Sequence, residues 1–170
     1  MELTMGALTR LDCLDVRHWR NAALETLRTP FILTEEMQDD FYEKVISNRH
    51  ASHRYFALRA PDGGLAAMVG LTDIQWENGR AEISLIVDPL HRRSGVGAES
   101  VKLLLLEAFD RMRLAHVHGE CYACNASAMA FWSKQVEQWG GFSVLLPARK
   151  FHDGAFHAGL YFDFSAKVLQ

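Results

Sequence analysis

The spacing of apolar side chains divides the chain into helical and extended stretches. Residues 4–10 read as a short strand, and residues 15–27, holding Trp19-Arg20-Asn21 and closed by Pro30, read as a helix. Thr34 followed by Glu35 and Glu36 is an N-cap with acids in the first turn, where they favour the helix dipole. Phe41, Val45 and Ile46 then carry an apolar face to about Asn48. Beyond it the period shortens. Tyr55-Phe56-Ala57-Leu58 and residues 65–72 are strand-like and flank the turn Pro61-Asp62-Gly63-Gly64, a hairpin signature. Asn78-Gly79 makes another tight turn into Ala81-Glu82-Ile83-Ser84-Leu85-Ile86-Val87, which is apolar enough for the centre of a sheet.

Residues 97–112 return to the helical period. Val101, Leu104, Leu105, Ala108 and Met112 share one face, with Lys102, Glu107 and Asp110 largely off it. Residues 116–122 then read as a strand, 125–138 as a helix, and 142–146 as a strand after Gly140-Gly141. Asp153-Gly154 turns the chain into a last strand over 158–164. The order β, α, α, β, β, β, α, β, α, β, β predicts an α/β fold with a mixed, mostly antiparallel central sheet flanked by helices. A length of 170 residues suits one core, so residues 1–170 are read as a single domain.

Composition narrows the classes of function. Apolar residues make up 49% and charged residues 23%, enough apolar surface to offset the entropy of folding. A net charge of −3 with scattered Lys and Arg gives no cationic field for a polyphosphate backbone, so nucleic acid is not the expected partner. No basic stretch followed by an apolar one opens the sequence, and the longest apolar run, around Leu103 to Leu106, is far too short to span a bilayer. Three cysteines, an odd number, fit a reducing compartment better than a disulfide framework, and the expected location is the cytoplasm.

The most informative segment is Val87-Asp88-Pro89-Leu90-His91-Arg92-Arg93-Ser94-Gly95-Val96-Gly97, between the apolar strand and the helix that follows. Its chemistry is anion binding. Gly95 and Gly97 let the backbone approach a ligand, the first-turn amides point outward, and the helix dipole favours negative charge there. Arg92 and Arg93 add cationic donors. This suits a diphosphate; the loop is too short for a nucleotide-triphosphatase P-loop and lacks its Lys-Ser/Thr pair. Glycines at a helix entry also serve to permit a turn, and the loop alone does not decide between the two.

In its context, Arg92-x-x-Gly95-x-Gly97 resembles the coenzyme A signature of the GNAT superfamily of N-acetyltransferases, and the element order is also that family's. The resemblance implies acetyl-CoA as cosubstrate, with the pyrophosphate on the amides of Arg93, Ser94, Gly95, Val96, Gly97 and Ala98, and the pantetheine near Ile86 and Val87. It implies a splay between residues 81–87 and 116–122 that admits the thioester. Asn125-Ala126-Ser127-Ala128-Met129-Ala130-Phe131-Trp132 resembles the family's Asn-x-x-Ala-x-x-x-Tyr helix start. There Asn125 touches the coenzyme, although an N-cap explains an Asn at that place by itself. The implied partners are acetyl-CoA and an amine-bearing acceptor, with a homodimer admitted and neither membrane nor metal required.

An amine attacks a thioester only when unprotonated, so a base near it is useful. Glu82 is the candidate, placed like the base glutamate of some family members, with apolar strand neighbours to raise its pKa. An exposed strand-end glutamate that binds the amine or a nearby Arg is the plainer alternative. Trp132 stands where many relatives have the Tyr that protonates the departing thiolate. Its indole is too weak an acid for that, and it is expected to pack on the pantetheine instead. The thiolate then leaves unassisted or through water, ahead of Tyr122, Ser127 or Cys124 as donors. Cys121 and Cys124 with His116 and His118 lack the spacing of a structural zinc, and buried, inert thiols are expected. Trp19-Arg20-Asn21 and Glu82 together resemble the branch that acetylates ribosomal-protein N-termini, spermidine and amino sugars. Glu35, Glu36, Asp39 and Asp40 are either an entrance for a polycation or a solvated helix face. A non-catalytic acyl-CoA sensor is the alternative function.

Overall fold

The computed structural model describes residues 2–28 and 30–166. Met1, Thr29 and residues 167–170, which the single-domain and N-terminal readings include, lie outside the described residues. The elements are β1 (Thr4–Gly6), α1 (Arg10–Asn21), α2 (Glu35–Phe41), β2 (Arg54–Arg59), β3 (Leu65–Gln75), β4 (Arg80–Val87), α3 (Val96–Leu106), β5 (His116–Tyr122), α4 (Ala126–Trp139), β6 (Phe142–His152) and β7 (Ala155–Ser165). This is the order expected from the apolar pattern. The strands form one sheet, β1-β2-β3-β4-β5-β7-β6, in which β4 and β5 are parallel and every other neighbour pair is antiparallel.

Burying both faces of β3 fixes the layers. Ala67, Val69 and Leu71 look toward α3 and α4, where Val101, Leu104, Leu105, Trp132 and Val136 cover them. Met68 looks the other way, into a smaller cluster with Leu8, Val16 and Ala57 beneath α1. The alternation continues into β4, with Ile83 and Val87 on the α3 side and Ile86 on the α1 side.

Several boundaries differ from the pattern: β1 stops at Gly6 and α1 at Asn21, β3 runs on to Gln75, β7 starts at Ala155, and two further differences have a visible local cause. α1 begins at Arg10, before the expected residue 15, because Thr9 and Asp12 form a capping box. The Thr9 hydroxyl accepts from the Asp12 amide at 3.2 Å and the Asp12 carboxylate accepts from the Thr9 amide at 2.7 Å. β6 runs on past Leu146 to His152, because a bulge at Pro147 and Ala148 (φ 53°) lets an edge strand carry a proline and then resume pairing.

Candidate active site

β4 and β5 are paired only at Arg80↔His116, Ala81↔Val117 and Glu82↔His118. Beyond Glu82 the two strands separate, and the edge of β4 from Ile83 to Val87 faces a gap, as the expected splay requires. The chain leaves β4 through a single turn at Pro89–His91, where the Asp88 carboxylate accepts from the Leu90 amide at 3.0 Å and meets His91 Nδ1 at 3.0 Å. Ser94 Oγ donates to the His91 carbonyl at 2.6 Å. Arg93 (φ 62°) and Gly95 (φ 91°) are both left-handed, and this reversal aims the first turn of α3 back toward the β4 edge.

That first turn differs from those of the other long helices. Thr9, Thr34 and Asn125 each cap a helix with a side-chain oxygen, whereas the N-cap of α3 is Gly95, which has none. Its amides are therefore left to solvent or a ligand, at the positive end of the helix dipole. A Cβ on Gly95 would meet nothing within 4 Å, so its glycine answers to backbone conformation. A Cβ on Gly97 would lie 3.2 Å from the Phe131 ring and 3.7 Å from Val87 Cγ2. Arg92 and Arg93 are exposed beside this turn, Val96 is buried beneath it, and Gly97 and Ala98 are half-buried.

On the α1 side of the sheet a cleft of about 510 Å³ opens where the strands part. Arg28, Glu82, His118, Gly119, Glu120, Tyr122, Arg149 and Tyr161 line it. Glu82 lies here, but against a guanidinium and not among the apolar neighbours expected for it. Arg28 Nη1 donates to Glu82 Oε2 at 3.0 Å, Nη2 donates to Oε1, and Nε donates to the Tyr122 hydroxyl at 3.1 Å. Hydrogen bonding to Glu82, reinforced by Tyr122, outweighs burial and raises the Arg28 pKa further. Arg149 likewise holds Glu120, Nε to Oε1 at 2.6 Å and Nη2 to Oε2 at 3.3 Å.

His118, paired across the strands with Glu82, was not expected in a proton role. Its Nδ1 is buried without a hydrogen-bond partner, and burial, then the charge of Arg80, pushes the imidazole below its ordinary value of 6.5. His116 lies on the same face, as period two requires, but its Nδ1 bonds Asp163 Oδ1 at 2.7 Å. No signal in the sequence separates the two histidines, because Asp163 comes from a strand far along the chain.

Asn125 caps α4, accepting from the Ala128 amide at 3.0 Å. Trp132 is buried in the main core, stacked on Phe162 at 4.3 Å and edge-on to Phe131 at 4.9 Å. Phe131 is the ring that reaches Gly97. Cys121 is buried beside Met129 Sδ at 3.6 Å, and burial pushes its thiol up to about 11. Among the described residues no three of His, Cys, Asp and Glu gather as a metal would need. Of the α2 acids, Asp39 pairs with Arg10 at 2.7 Å, Glu35 with Arg17 at 2.9 Å, and Asp40 with Lys44.

A parallel strand pair that parts beside an uncapped helix start leaves backbone amides without an intrahelical partner next to an unpaired strand edge. The chain belongs to the acetyltransferase (GNAT) family, whose model matches residues 15–136. It is accordingly an acetyltransferase-family enzyme, of a family that uses acetyl-CoA. No curated protein matches it in sequence. Its fold is similar to that of a chimera of SpeG spermidine N-acetyltransferase from Vibrio cholerae and hSSAT, with TM-score 0.86, 20% identity, and coverage of 100% of this chain and 99% of the other. Spermidine N-acetyltransferase from Vibrio cholerae in complex with CoA and spermine gives TM-score 0.85 at 20% identity over 99% and 98% of the two chains. No described helix is long and apolar enough to cross a membrane.

Proposed function

We propose that this protein, acting as one domain, transfers the acetyl group of acetyl-CoA to a primary amine by direct attack. The amine nitrogen forms a bond to the thioester carbonyl carbon, the carbon–sulfur bond breaks, and the thiolate takes up a proton as the amine gives one up. Glu82 accepts the amine proton, directly or through a water, once the acceptor has displaced Arg28 from its carboxylate. Amides of Arg93, Ser94, Gly95, Val96, Gly97 and Ala98 hold the pyrophosphate with help from Arg92. The coenzyme arm follows Ile86 and Val87 in the gap between β4 and β5, and Asn125 borders it. Trp132 acts from behind, by holding Phe131 against Gly97. The resemblance behind the reading admits a protein N-terminus, a polyamine or an amino sugar as acceptor, and the fold neighbour bound to spermine keeps the polyamine in view. The free thiols Cys13, Cys121 and Cys124 fit a reducing cytoplasm.

The observation that carries the reading is the uncapped start of α3 beside the opened edge of β4. Calorimetric titration with acetyl-CoA tests it. The wild type is expected to bind saturably, and Gly95→Val with Gly97→Val to remain folded with binding lost. A left-handed valine is strained by about 1–2 kcal/mol, and the second side chain would meet Phe131. Undiminished binding by the double variant would remove the pyrophosphate from this loop.

A further inference from the structure

The cleft beside Glu82 holds two carboxylates and two guanidiniums in matched pairs, Glu82 with Arg28 and Glu120 with Arg149. With His118 neutral, its formal charge is zero. The arginines come from unrelated parts of the chain, and each is built into place. Lys150, itself buried, donates from Nζ to the Leu27 carbonyl and so pins the segment that carries Arg28. Arg149 lies in the bulge between Leu146↔Gly159 and Lys150↔His157 and reaches Glu120 from the rim of the cleft, its side chain 48% exposed. Gly159 leaves the room this needs: a Cβ there would lie 2.5 Å from Glu120 Oε1 and 3.0 Å from Arg149 Cβ.

A polycation entering this cleft meets two half-exposed guanidiniums, and both carboxylates that line it are already paired. Each added ammonium would leave uncompensated charge in a partly dewatered space. None of the α2 acids lines the cleft: Asp39, Glu35 and Asp40 are engaged with Arg10, Arg17 and Lys44, and Glu36 is exposed outside it. A molecule with both an amine and a carboxylate can instead exchange partners. Its amine takes the edge of Glu82, its carboxylate takes the bidentate face of a released guanidinium, and the cleft stays neutral. The volume of about 510 Å³ suits a small molecule.

Resting on the acetyltransferase reading, we infer that the acceptor is a small amine that also carries a carboxylate, recognised by Arg28 and Arg149. The test follows thiol release from acetyl-CoA with a series of α-, β- and γ-amino acids, the primary amide of each, and spermidine. The best amino acid is expected to exceed its own amide in kcat/KM by roughly 10–100-fold, the worth of a charge-assisted hydrogen bond. Arg28→Gln and Arg149→Gln, checked for unchanged melting temperature, should collapse that ratio by raising KM for the amino acid and not for the amide. Arg149→Lys, which keeps the charge without the fork, should give an intermediate ratio. Spermidine or an amide matching every amino acid would overturn the acceptor class, as would an unchanged ratio in both Gln variants. Either result would leave the acetyltransferase reading standing, since thiol is still released. Failure of every amine to release thiol would strike that reading itself and the acceptor class with it.

Discussion

Glu82 and His118 face each other on the last rung before the strands part, and both lie in the same cleft, yet only Glu82 stood out in the sequence. What distinguishes His118 is its surroundings: an imidazole nitrogen buried without a partner, near the Tyr161 ring and under the influence of Arg80. Burial lowers its folded pKa, whereas in the unfolded chain it titrates near its ordinary value of 6.5. Below that value the unfolded state binds a proton that the folded state resists, so this group costs stability as pH falls through 6.5 toward the folded pKa. His118→Phe, which keeps a ring and removes the titration, is expected to flatten the fall in melting temperature between about pH 7 and pH 5. A variant profile parallel to the wild type would show that His118 does not carry this dependence.

At the scale of elements, the apolar period was a sound guide wherever one face of an element is buried against another. The face named by Val101, Leu104 and Leu105 of α3, and by Ala108 just beyond its end, is the buried one. It was a poor guide at the edge of the sheet. β6 exposes Phe142, Leu145 and Phe151, so no alternation marks it, and Pro147 reads as a stop where the strand only bulges. The early start of α1 was legible, since Thr9 and Asp12 have capping-box spacing, but the apolar run that usually follows such a box is weak there. In α4 the register of side chains was not legible, because Phe131 and Trp132 are adjacent aromatics and only Phe162 and Gly97 decide which turns to the core. Trp132→Ala is expected to cost about 3–5 kcal/mol by chemical denaturation, the loss of a stacked aromatic in the main core. A variant as stable as the wild type would mean that the ring packs elsewhere, as on a bound coenzyme arm.

For the whole molecule, the division of labour follows from one topological fact. β4 and β5 are the only parallel neighbours among the described strands, and a parallel pair with a helical crossover separates easily once its short register ends. The gap that results joins two sides of the sheet with different characters. On one side the uncapped start of α3 and the exposed Arg92 and Arg93 favour an anion; on the other a neutral, ion-paired cleft presents Glu82. The cleft was least visible in the sequence, because Arg28, Glu120, Arg149 and Tyr161 meet only through long-range pairing and carry no motif.

The most direct test of acetyl transfer is the rate of amine-dependent thiol release from acetyl-CoA, measured for the wild type and for Glu82→Gln across pH. The account predicts release that saturates in both acetyl-CoA and amine. In the variant it should fall on the order of a hundredfold at neutral pH and recover in part as the amine deprotonates at higher pH. Thiol release that no amine accelerates at any pH, while acetyl-CoA still binds, would contradict it.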